Sequence, residues 1–570
     1  RGRLDPAGRE VTPLDEAGLR AVGEALAAAG VAAVAICFLH SYANPAHERR
    51  AKAILAEFLP PGTAICASTD ILAEFREYER ASTVVLNAFL MPVMGHYLAS
   101  LTELLADPQQ GLGLAQVPVM IMEASGGLMT VATACERPVH TVLSGPAGGV
   151  VASAHVAARS GFADIITMDM GGTSTDISLI LGGEPQVTRE ASLERTPIRI
   201  PVIDINAIGA GGGSIAWIDD GGALRVGPHS AEAVPGPACY GRGGTRPTVT
   251  DANLVLGRFG GDTRLGGDLL LDAAAAARAI EAHVAQPLGL DLVTAASGIL
   301  RVANANMGRG IRVVSIERGH DPRRLTLVPF GGAGPMHGSP VARDLAIPRL
   351  LVPPTPGILC ALGLLVADLR HDLTQTRLAA FAAVSAADAA TGFAPMLEAA
   401  RRMLAEDRIP PERQRIETRV DMRYIGQSYE LPIPLAGFGD GEWAALAPAF
   451  HAEHLRRFGH SDPEAPVEIV SFAVIARGLI DTPELPRPGE GTPRPPEAAA
   501  IGMRRVYFEA AGATGGAWRE CRVWRREALL AGNEIAGPAI VEEVSATTVL
   551  YPGDRGRIDE CGSLIVEVAG

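Results

Sequence analysis

Hydrophobic and polar positions follow two alternating periods in the first part of the chain. Segment 14–30 has apolar residues at helical spacing and ends at Gly30, whereas segment 31–39 is an unbroken apolar run typical of a buried strand. The same helix-then-strand order returns over 44–59 and 63–69. Strand, helix and strand of these lengths predict a parallel sheet with right-handed crossovers.

The remainder of the pattern divides into an αβ section and a β-rich section. The αβ section runs from Asp164 to about Thr376, and β-rich runs follow Pro466. Helices are predicted over 81–105, 150–160, 272–286, 382–406 and 442–458, and strands over 118–124, 325–330 and 467–480. We therefore expect three consecutive domains, of which the first two are αβ and the third is α+β: 1–160, 161–380 and 381–570.

Composition excludes several classes of protein. The 570 residues are 47% hydrophobic and 20% charged, which rules out a mainly disordered chain. A net charge of −14 repels phosphate backbones, so no nucleic-acid partner is expected. Lys52 is the single lysine and lies in a helical run. A P-loop and a pyridoxal Schiff base both need a lysine in another context, so both are excluded.

The cysteines and the apolar runs indicate a cytoplasmic protein. Seven cysteines are far apart and include no C-x-x-C pair, which argues against a zinc ribbon and a disulfide framework. The longest apolar run, 25–39, is shorter than the ~20 residues of a membrane span, so neither a membrane helix nor a membrane partner is expected. No signal peptide is visible, although the chain opens with Arg1 instead of methionine.

The strongest candidate for chemistry is the segment Asp169–Asp176, DMGGTSTD, called the acidic turn below. The apolar runs 165–168 and 177–180 on either side predict two antiparallel strands joined by a tight turn. Gly171 and Gly172 can adopt positive φ and present consecutive amides to an anion. An ordinary Gly-Gly hairpin is the alternative interpretation.

Side chains of the acidic turn suit nucleotide phosphates and a metal ion. The hydroxyls of Thr173, Ser174 and Thr175 can donate to phosphate oxygens. Magnesium prefers carboxylate oxygens together with the phosphates that it bridges. We therefore predict Asp169 and Asp176 as catalytic and metal-binding residues, holding Mg²⁺ directly or through water, or orienting a water.

Two further glycine loops follow at wide spacing. The second glycine loop, 208–214, has the wrong spacing for a dinucleotide fingerprint, so a flexible turn and a binding site are both open interpretations. The third glycine loop, 330–337, lies between a strand and a helix, where glycines would let a base or ribose approach the backbone, although it could simply be a connection. The candidate nucleotide-binding residues of these loops are Gly211, Gly212, Gly331, Gly332 and Gly334.

Together the loops predict a doubly wound domain that binds a nucleotide without lysine. This arrangement resembles the actin-like ATPase/sugar kinase (ribonuclease H-like) fold, with the acidic turn as a phosphate loop and 330–337 as the adenosine loop. The chain as a whole resembles the hydantoinase/5-oxoprolinase family, in its hydantoinase A (HyuA-type) branch. The motifs that carry the resemblance are FLHSYANPAHE (38–48), FREYERASTVVLNAFLMP (75–92), LSGPAGGV (143–150), MDMGGTSTD (168–176), IGAGGGSIAW (208–217), PGPACYGRGGTRPTVTDANLVLGR (235–258), ERGHDPR (317–323), PFGGAGPMH (329–337), LCALGLLVADLRHD (359–372), RYIGQSYEL (423–431) and GPAIVEE (537–543).

The resemblance implies ATP-dependent hydrolysis of a cyclic amide or imide, such as a 5-oxoproline-like or hydantoin-like ring. ATP and Mg²⁺ would be required, the amide oxygen would be phosphorylated, and a HyuB-type second subunit would complete a hetero-oligomer. Two alternatives stay open: the ATP-using subunit of an acetone- or acetophenone-type carboxylase, and an inactive actin-like assembly module. Members of the family also begin with a first Asp-x-Gly-Gly-Thr turn. No such turn precedes Asp169 here, so we expect an N-terminally truncated member that could be inactive alone.

Three other positions in the chain hold weaker candidates. Cys239 could contact substrate or metal, but a buried structural cysteine is the favoured interpretation. His320 and Asp321 could form an acid/base pair or cap a turn. His371 and Asp372 have the spacing of a metal pair, although an isolated pair is usually only hydrogen-bonded.

Overall fold

The computed structural model describes residues 2–193, 196–260, 263–509 and 515–569, as a mixed α/β protein with a sheet-rich C-terminal part. Its chain divides into two units that are interleaved in sequence. Unit 1 consists of Arg1–Gly145, Val187–Ile203 and Ala367–Asp481, and unit 2 of Pro146–Gln186, Asp204–Val366 and Thr482–Gly570. The three domains expected from sequence are consecutive ranges of the chain, whereas each of these units combines several separate segments. The three domains stay a prediction.

Unit 1 begins with the predicted strand–helix–strand arrangement. The helix Glu16–Ala28 precedes strand Ala33–Ile36, and the helix Ala46–Phe58 connects that strand to Ala64–Ala67. The two strands pair in parallel, as predicted. Ile36 and the apolar sides of both helices share one core cluster, so the alternating pattern corresponds to burial.

A 30-residue helix, Glu77–Ala106, follows. It buries the side chains of Arg80 and Asn87. Within the described ranges it is the one helix long and apolar enough to cross a membrane by length and composition. The sequence predicts this helix over 81–105, but polar residues are spaced along it, so it contains no long uninterrupted apolar run. Core helices of other proteins have the same length and apolar composition, so these two properties do not assign a membrane role to the helix.

The rest of unit 1 is built on a six-stranded sheet. Its strands in spatial order are Leu431–Leu435, Gln414–Tyr424, Val467–Gly478, Leu369–Ala380, Leu128–Thr130 and Met120–Met122. The helices Ala386–Glu406 and Leu446–Phe458 contribute to the same core, where the rings of Phe393 and Phe472 stack with centroids 4.4 Å apart. The smaller elements of this unit are Arg3–Leu4, Glu10–Thr12, Ser68–Ile71, Val131–Glu136, Val187–Thr188, Ala191–Leu193, Thr196–Ile198, Val202–Ile203 and Asp440–Ala444.

Unit 2 is organised around a nine-stranded mixed sheet. Eight of its strands follow the spatial order Ile205–Ile208, Thr175–Leu181, Ile165–Met170, Thr326–Phe330, Arg349–Val352, Leu564–Glu567, Arg555–Ile558 and Glu534–Ala536, and Glu184–Pro185 pairs at the side. The first three strands are antiparallel, and the next two run parallel to the third. This sheet therefore places the ends of Ile165–Met170 and Thr326–Phe330 at one edge.

Helices of unit 2 cover this sheet. They are Ser144–Arg159, Val249–Val255, Ala273–Ile280, Gln286–Leu288, Leu292–Val314, Gly334–Asp344 and Leu359–Val366, of which the first starts at the end of unit 1. The sequence placed Gly148 and Gly149 in a loop before a helix, and this is wrong, because the helix already begins at Ser144. Both glycines lie inside it, where they permit close packing: a Cβ on Gly149 would be 2.7 Å from the Phe330 ring.

A second, four-stranded sheet completes unit 2. It is formed by Ala500–Glu509, Gly516–Arg525, Ala539–Glu542 and Thr547–Leu550. Of the β-rich runs expected after Pro466, the later one lies in this sheet, and the run 467–480 forms the strand Val467–Gly478 of unit 1. The inner face of the four-stranded sheet shares a core cluster with Met336 of the helix Gly334–Asp344. The C-terminal strands are therefore packed beside the third glycine loop. The remaining short strands are Ser214–Ile218, Leu224–Ser230, Arg264–Leu265 and Leu269–Leu270.

Candidate functional site

The acidic turn joins two antiparallel strands, as predicted. Asp169 lies directly opposite Asp176 in the register of the pair. Directly opposed residues project from the same face, with Cβ atoms about 5 Å apart. The turn between them is closed by a hydrogen bond of 3.1 Å from the Gly171 amide to the Ser174 carbonyl oxygen. The fold therefore brings both predicted carboxylates together.

Neither carboxylate has a cationic partner. Over the described ranges, no arginine, lysine or histidine forms an ion pair with Asp169 or Asp176. Burial raises the pKa of Asp169, and a hydrogen bond from the Cys360 thiol (Sγ to Oδ2, 3.4 Å) opposes this rise. Burial, followed by the negative charge of Asp169, raises the pKa of Asp176 to about 6. The site holds two neighbouring acidic groups without a compensating charge.

The glycines of the turn leave open space beside the backbone, and they do not provide an unusual backbone conformation. We expected positive φ at Gly171 and Gly172, and neither has it. Instead, a Cβ on either residue would find no protein atom within 4 Å, and both residues line a cavity. Their amides can therefore be approached closely by a ligand. Beside them, Thr173 is exposed and Ser174 is half-buried.

The second glycine loop packs directly on the acidic turn. The Gly212 amide donates to the Gly171 carbonyl (2.9 Å), and a Cβ on Gly211 would be 2.7 Å from the Gly172 carbonyl oxygen. Gly212 lines the cavity, whereas Gly211 makes the packing contact. The Thr175 side chain is buried, and its hydroxyl donates to the Ala210 carbonyl. Thus Gly211 and Thr175 bring loop and turn together.

The third glycine loop approaches the other side of Asp169. Gly331 has φ +78°, and a Cβ there would be 2.4 Å from Asp169 Oδ1. Gly334 begins the helix Gly334–Asp344, and its Cβ would be 3.1 Å from the Met168 carbonyl oxygen. Gly332 lines the cavity. Two of these glycines thus permit close packing against the acidic strand, and Gly332 borders ligand space.

The cavity beside these loops has a volume of about 770 Å³. This lies within the usual range for small-molecule sites. The sequence did not identify several of its lining residues, which come from the helix Val249–Val255 and from the C-terminal sheet: Thr250, Asn253, Arg525, Glu527 and 542–547. Thr250 Oγ1 donates to the Gly212 carbonyl (2.8 Å), and burial raises the pKa of Glu543 to about 7. A capping box, Thr248-x-x-Asp251, was the available signal for that helix start.

Cys239 is held in a structural contact. It is fully buried, and its amide donates to Asp251 Oδ1 (2.8 Å). Burial and the neighbouring Asp251 raise the pKa of its thiol well above the ordinary value. The next residue, Tyr240, lines the cavity. These contacts agree with the structural interpretation of Cys239.

His337 closes the third glycine loop from inside the protein. It is buried, with Nδ1 2.7 Å from Asn304 Oδ1 and Nε2 3.3 Å from Asn253 Nδ2. Burial and the charge of Arg258 lower its pKa to about 3, so the ring is neutral. It links three helices through Asn304 and Asn253.

The remaining histidine candidates lie in other surroundings. Asp321 caps a short turn and pairs with Arg323 (2.8 Å), as in the turn interpretation of the His320–Asp321 pair. His371 Nε2 pairs with Asp407 Oδ2 (2.5 Å), and Asp372 pairs with Arg370, so His371 and Asp372 do not act as one pair. No group of three or more His, Cys, Asp or Glu side chains suited to a metal occurs in the described ranges. Ligands from a nucleotide would therefore have to complete the coordination of a metal at the acidic turn.

Comparison with known proteins shows the family to which the chain is related. The model of the Hydantoinase/oxoprolinase family matches residues 80–373, and the models of its N-terminal region and C-terminal domain match 1–59 and 381–565. The caprolactamase subunit alpha of Pseudomonas jessenii is 38% identical, over 98% of this chain and 79% of that protein. The acetophenone carboxylase gamma subunit of Aromatoleum aromaticum is 32% identical, over 100% of this chain and 78% of that protein.

The same relationship is seen in three dimensions. The crystal structure of the ATP-dependent caprolactamase from Pseudomonas jessenii superposes with a TM-score of 0.89 and 36% identity, over 100% of this chain and 82% of that chain. A family model that matches more than half of the chain, and relatives above 30% identity over most of their length, establish the relationship. The chain belongs to the hydantoinase/oxoprolinase family.

Proposed function

We propose that this chain is the ATP-binding subunit of a cytoplasmic, ATP-dependent cyclic-amide hydrolase. The observation that carries the proposal is the pair of carboxylates, Asp169 and Asp176, which face each other without a cation. Carboxylates brought together without compensation are typical of functional sites, because folding alone does not favour that arrangement. Magnesium with ATP would provide the missing charge.

The residues around this pair have separate roles in the proposal. The amides of Gly171 and Gly172 and the hydroxyls of Thr173 and Ser174 hold phosphate oxygens. Asp169 and Asp176 hold Mg²⁺, which supplies charge neutralisation to the phosphates when bound. Gly212, Gly332 and the cavity of about 770 Å³ take the nucleoside. Lysine is not needed for any of these contacts.

Phosphate transfer explains why such an enzyme needs ATP. The amide oxygen of the ring attacks the γ-phosphorus, so an O–P bond forms while the bond from phosphorus to the ADP oxygen breaks. Water then adds to the activated carbon, the ring C–N bond breaks, and inorganic phosphate leaves. The sum is lactam, ATP and water to amino acid, ADP and phosphate. A HyuB-type partner subunit in a hetero-oligomer would perform the hydrolytic half.

The sheet of unit 2 supports an actin-like, ribonuclease H-like domain. Its order is three antiparallel strands followed by two strands parallel to Ile165–Met170. This is the arrangement expected of that fold, with the acidic turn between its first two strands. The other candidate phosphate loop of an actin-like protein belongs to the first domain, for which the parallel pair Ala33–Ile36 and Ala64–Ala67 is the proposed remainder.

Calorimetric titration with Mg·ATP tests the proposal. Wild-type protein should bind, and Asp169→Asn should abolish binding heat at the same ligand concentrations while leaving the melting temperature within a few degrees. Asp220→Asn is the matched control, because it removes an exposed carboxylate of the same unit. Absence of nucleotide heat in the wild type would favour the assembly module. Wild-type affinity in Asp169→Asn would refute the metal role.

A second assay separates hydrolase from carboxylase, because a carboxylase subunit is 32% identical to this chain. The chain and its partner subunit are assayed for ADP formation with a panel of lactams and cyclic imides, and with ketones plus bicarbonate. Lactam-dependent ADP formation with ring opening supports the hydrolase. ADP formation that needs both ketone and bicarbonate would replace it with the carboxylase.

A further inference from the structure

The carboxylate of Asp169 is held by a residue that the sequence did not single out as functional. Cys360 is the second residue of the helix Leu359–Val366. Its thiol donates to Asp169 Oδ2, with 3.4 Å between the sulfur and the oxygen. Over the described ranges this is the one hydrogen bond formed by the Asp169 side chain.

Close helix packing fixes the position of Cys360. A Cβ on Gly149 would come within 2.9 Å of Cys360 Sγ, and one on Gly148 within 2.8 Å of the Cys360 carbonyl oxygen. Further along the same helix, a Cβ on Gly363 would be 1.9 Å from the Gly148 carbonyl oxygen. Glycine at these three positions lets the two helices approach closely. The sulfur therefore has little freedom to turn away from Asp169.

The other carboxylate oxygen is confined from the opposite side. Asp169 Oδ1 lies 2.4 Å from the position that a Cβ would take on Gly331, so the backbone of the third glycine loop borders it. Oδ2 thus accepts a hydrogen bond from the Cys360 thiol, and Oδ1 lies beside the backbone of Gly331. Rotation of the carboxylate about its Cβ–Cγ bond would break the hydrogen bond from the Cys360 thiol.

We propose that Cys360 is a positioning residue for Asp169. Its S–H group holds the carboxylate in the orientation in which Asp169 and Asp176 together accept a divalent cation. This inference rests on the metal role proposed above. Residues that orient metal-binding side chains typically change metal affinity by 10–100-fold when they are removed. A cysteine that only fills space would not change it.

Variants at Cys360 distinguish positioning from packing. Cys360→Ala removes the donor, whereas Cys360→Ser keeps a donor at nearly the same place. Cys521→Ala is the control, because it removes another thiol from unit 2, one that is buried in an apolar cluster and donates to the Arg519 carbonyl. ATP binding is measured by calorimetry at fixed ATP and increasing Mg²⁺, with the melting temperature of each variant as a test of folding.

The expected result is a specific change in magnesium dependence. Cys360→Ala should need about 10-fold more Mg²⁺ for half-maximal ATP binding, Cys360→Ser less than 3-fold more, and Cys521→Ala the wild-type amount, whatever its melting temperature. Magnesium dependence in Cys360→Ala equal to that of Cys521→Ala overturns the positioning role and leaves the proposed function intact. Wild-type ATP binding that does not depend on Mg²⁺ overturns the metal role and this inference with it.

Discussion

Two sets of carboxylates with restricted exposure, one in each unit, have different partners. In unit 1, Glu74 is 4% exposed and contacts two arginines, Arg189 and Arg199. In unit 2, Asp169 and Asp176 face each other with no arginine at all among their described neighbours. A buried charge is tolerated when it is paired and is costly when it is not. The paired carboxylates therefore stabilise the fold, whereas the unpaired carboxylates fit the ligand-binding role proposed above.

The arginine pairs of unit 1 form one continuous network. Arg199 contacts Glu430 as well as Glu74, and Arg189 also contacts Asp421 (3.3 Å). Glu74 thus connects two arginines from the segment Val187–Ile203. Removal of one member leaves others buried without a full set of partners, which is the costly situation.

The largest effect that we expect on stability follows from breaking this network. Glu74→Gln should lower the free energy of unfolding by about 3 kcal/mol, because Arg189 and Arg199 would remain buried with a neutral partner. Glu16→Gln is the control, since its pair with Arg50 is exposed and should change the free energy of unfolding far less. Urea unfolding of both variants measures the difference. Equal losses in the two variants would show that burial of the network adds nothing.

The sequence predicted features that depend on local patterns, and it did not predict features that depend on contacts between residues far apart in the chain. The acidic turn and its two strands were predictable because their pattern is local and complete within about sixteen residues. The helix start at Ser144 was missed, because glycines normally indicate a loop. Here Gly148 and Gly149 are placed in a helix to meet Cys360, which is more than 200 residues away.

Long-range contacts also explain what was missed in the site itself. Cys360 lies 191 residues from Asp169, and nothing in the spacing of the seven cysteines distinguishes it from the others. The cavity wall at 542–547 comes from a separate sheet, so its place beside Gly332 is a property of the tertiary fold. Gly171 does not use the positive φ that glycine can adopt, and its open surroundings are set by the tertiary fold.

Glu123 in unit 1 differs from Glu74, because it is buried without a direct arginine partner. It accepts a hydrogen bond from Ser125 (2.9 Å), and burial followed by the charge of Asp372 raises its pKa to about 8. Its other charged or titratable neighbours are Arg370, Arg137, His140 and His371. It therefore remains protonated at neutral pH, which avoids an unpaired charge.

This protonation predicts a pH effect on stability. Between the unfolded pKa of about 4.5 and the folded value of about 8, only the folded protein holds the Glu123 proton, so its contribution to stability falls as pH rises. Glu123→Gln removes the titration. Relative to wild type, the variant should gain about 2.7 kcal/mol between pH 6 and pH 9. Urea unfolding at both pH values measures it, and a constant difference between the two proteins would contradict the assignment.

The smallest expected effect is that of Asp176→Asn. This substitution should raise the free energy of unfolding, whereas Glu74→Gln should lower it. Asp176 has a folded pKa of about 6, above its ordinary 3.8, so its contribution to stability is present at low pH and is lost as pH rises through 6. At pH 8 without magnesium, Asp176→Asn removes the repulsion from Asp169 and should raise the free energy of unfolding by about 1 kcal/mol. Thermal unfolding at pH 8 measures this gain.

Addition of Mg·ATP should then reverse the order of stability. A ligand that binds only the folded protein raises its free energy of unfolding by about 2.7 kcal/mol at a hundred times its dissociation constant. Wild type should receive this increase, and Asp176→Asn should lose most of it, so the variant that is more stable alone becomes the less stable one. If Asp176→Asn instead lowers the free energy of unfolding without ligand, Asp176 is a structural carboxylate like those of unit 1. A carboxylate that lowers the stability of the folded protein is expected only where it is used for binding.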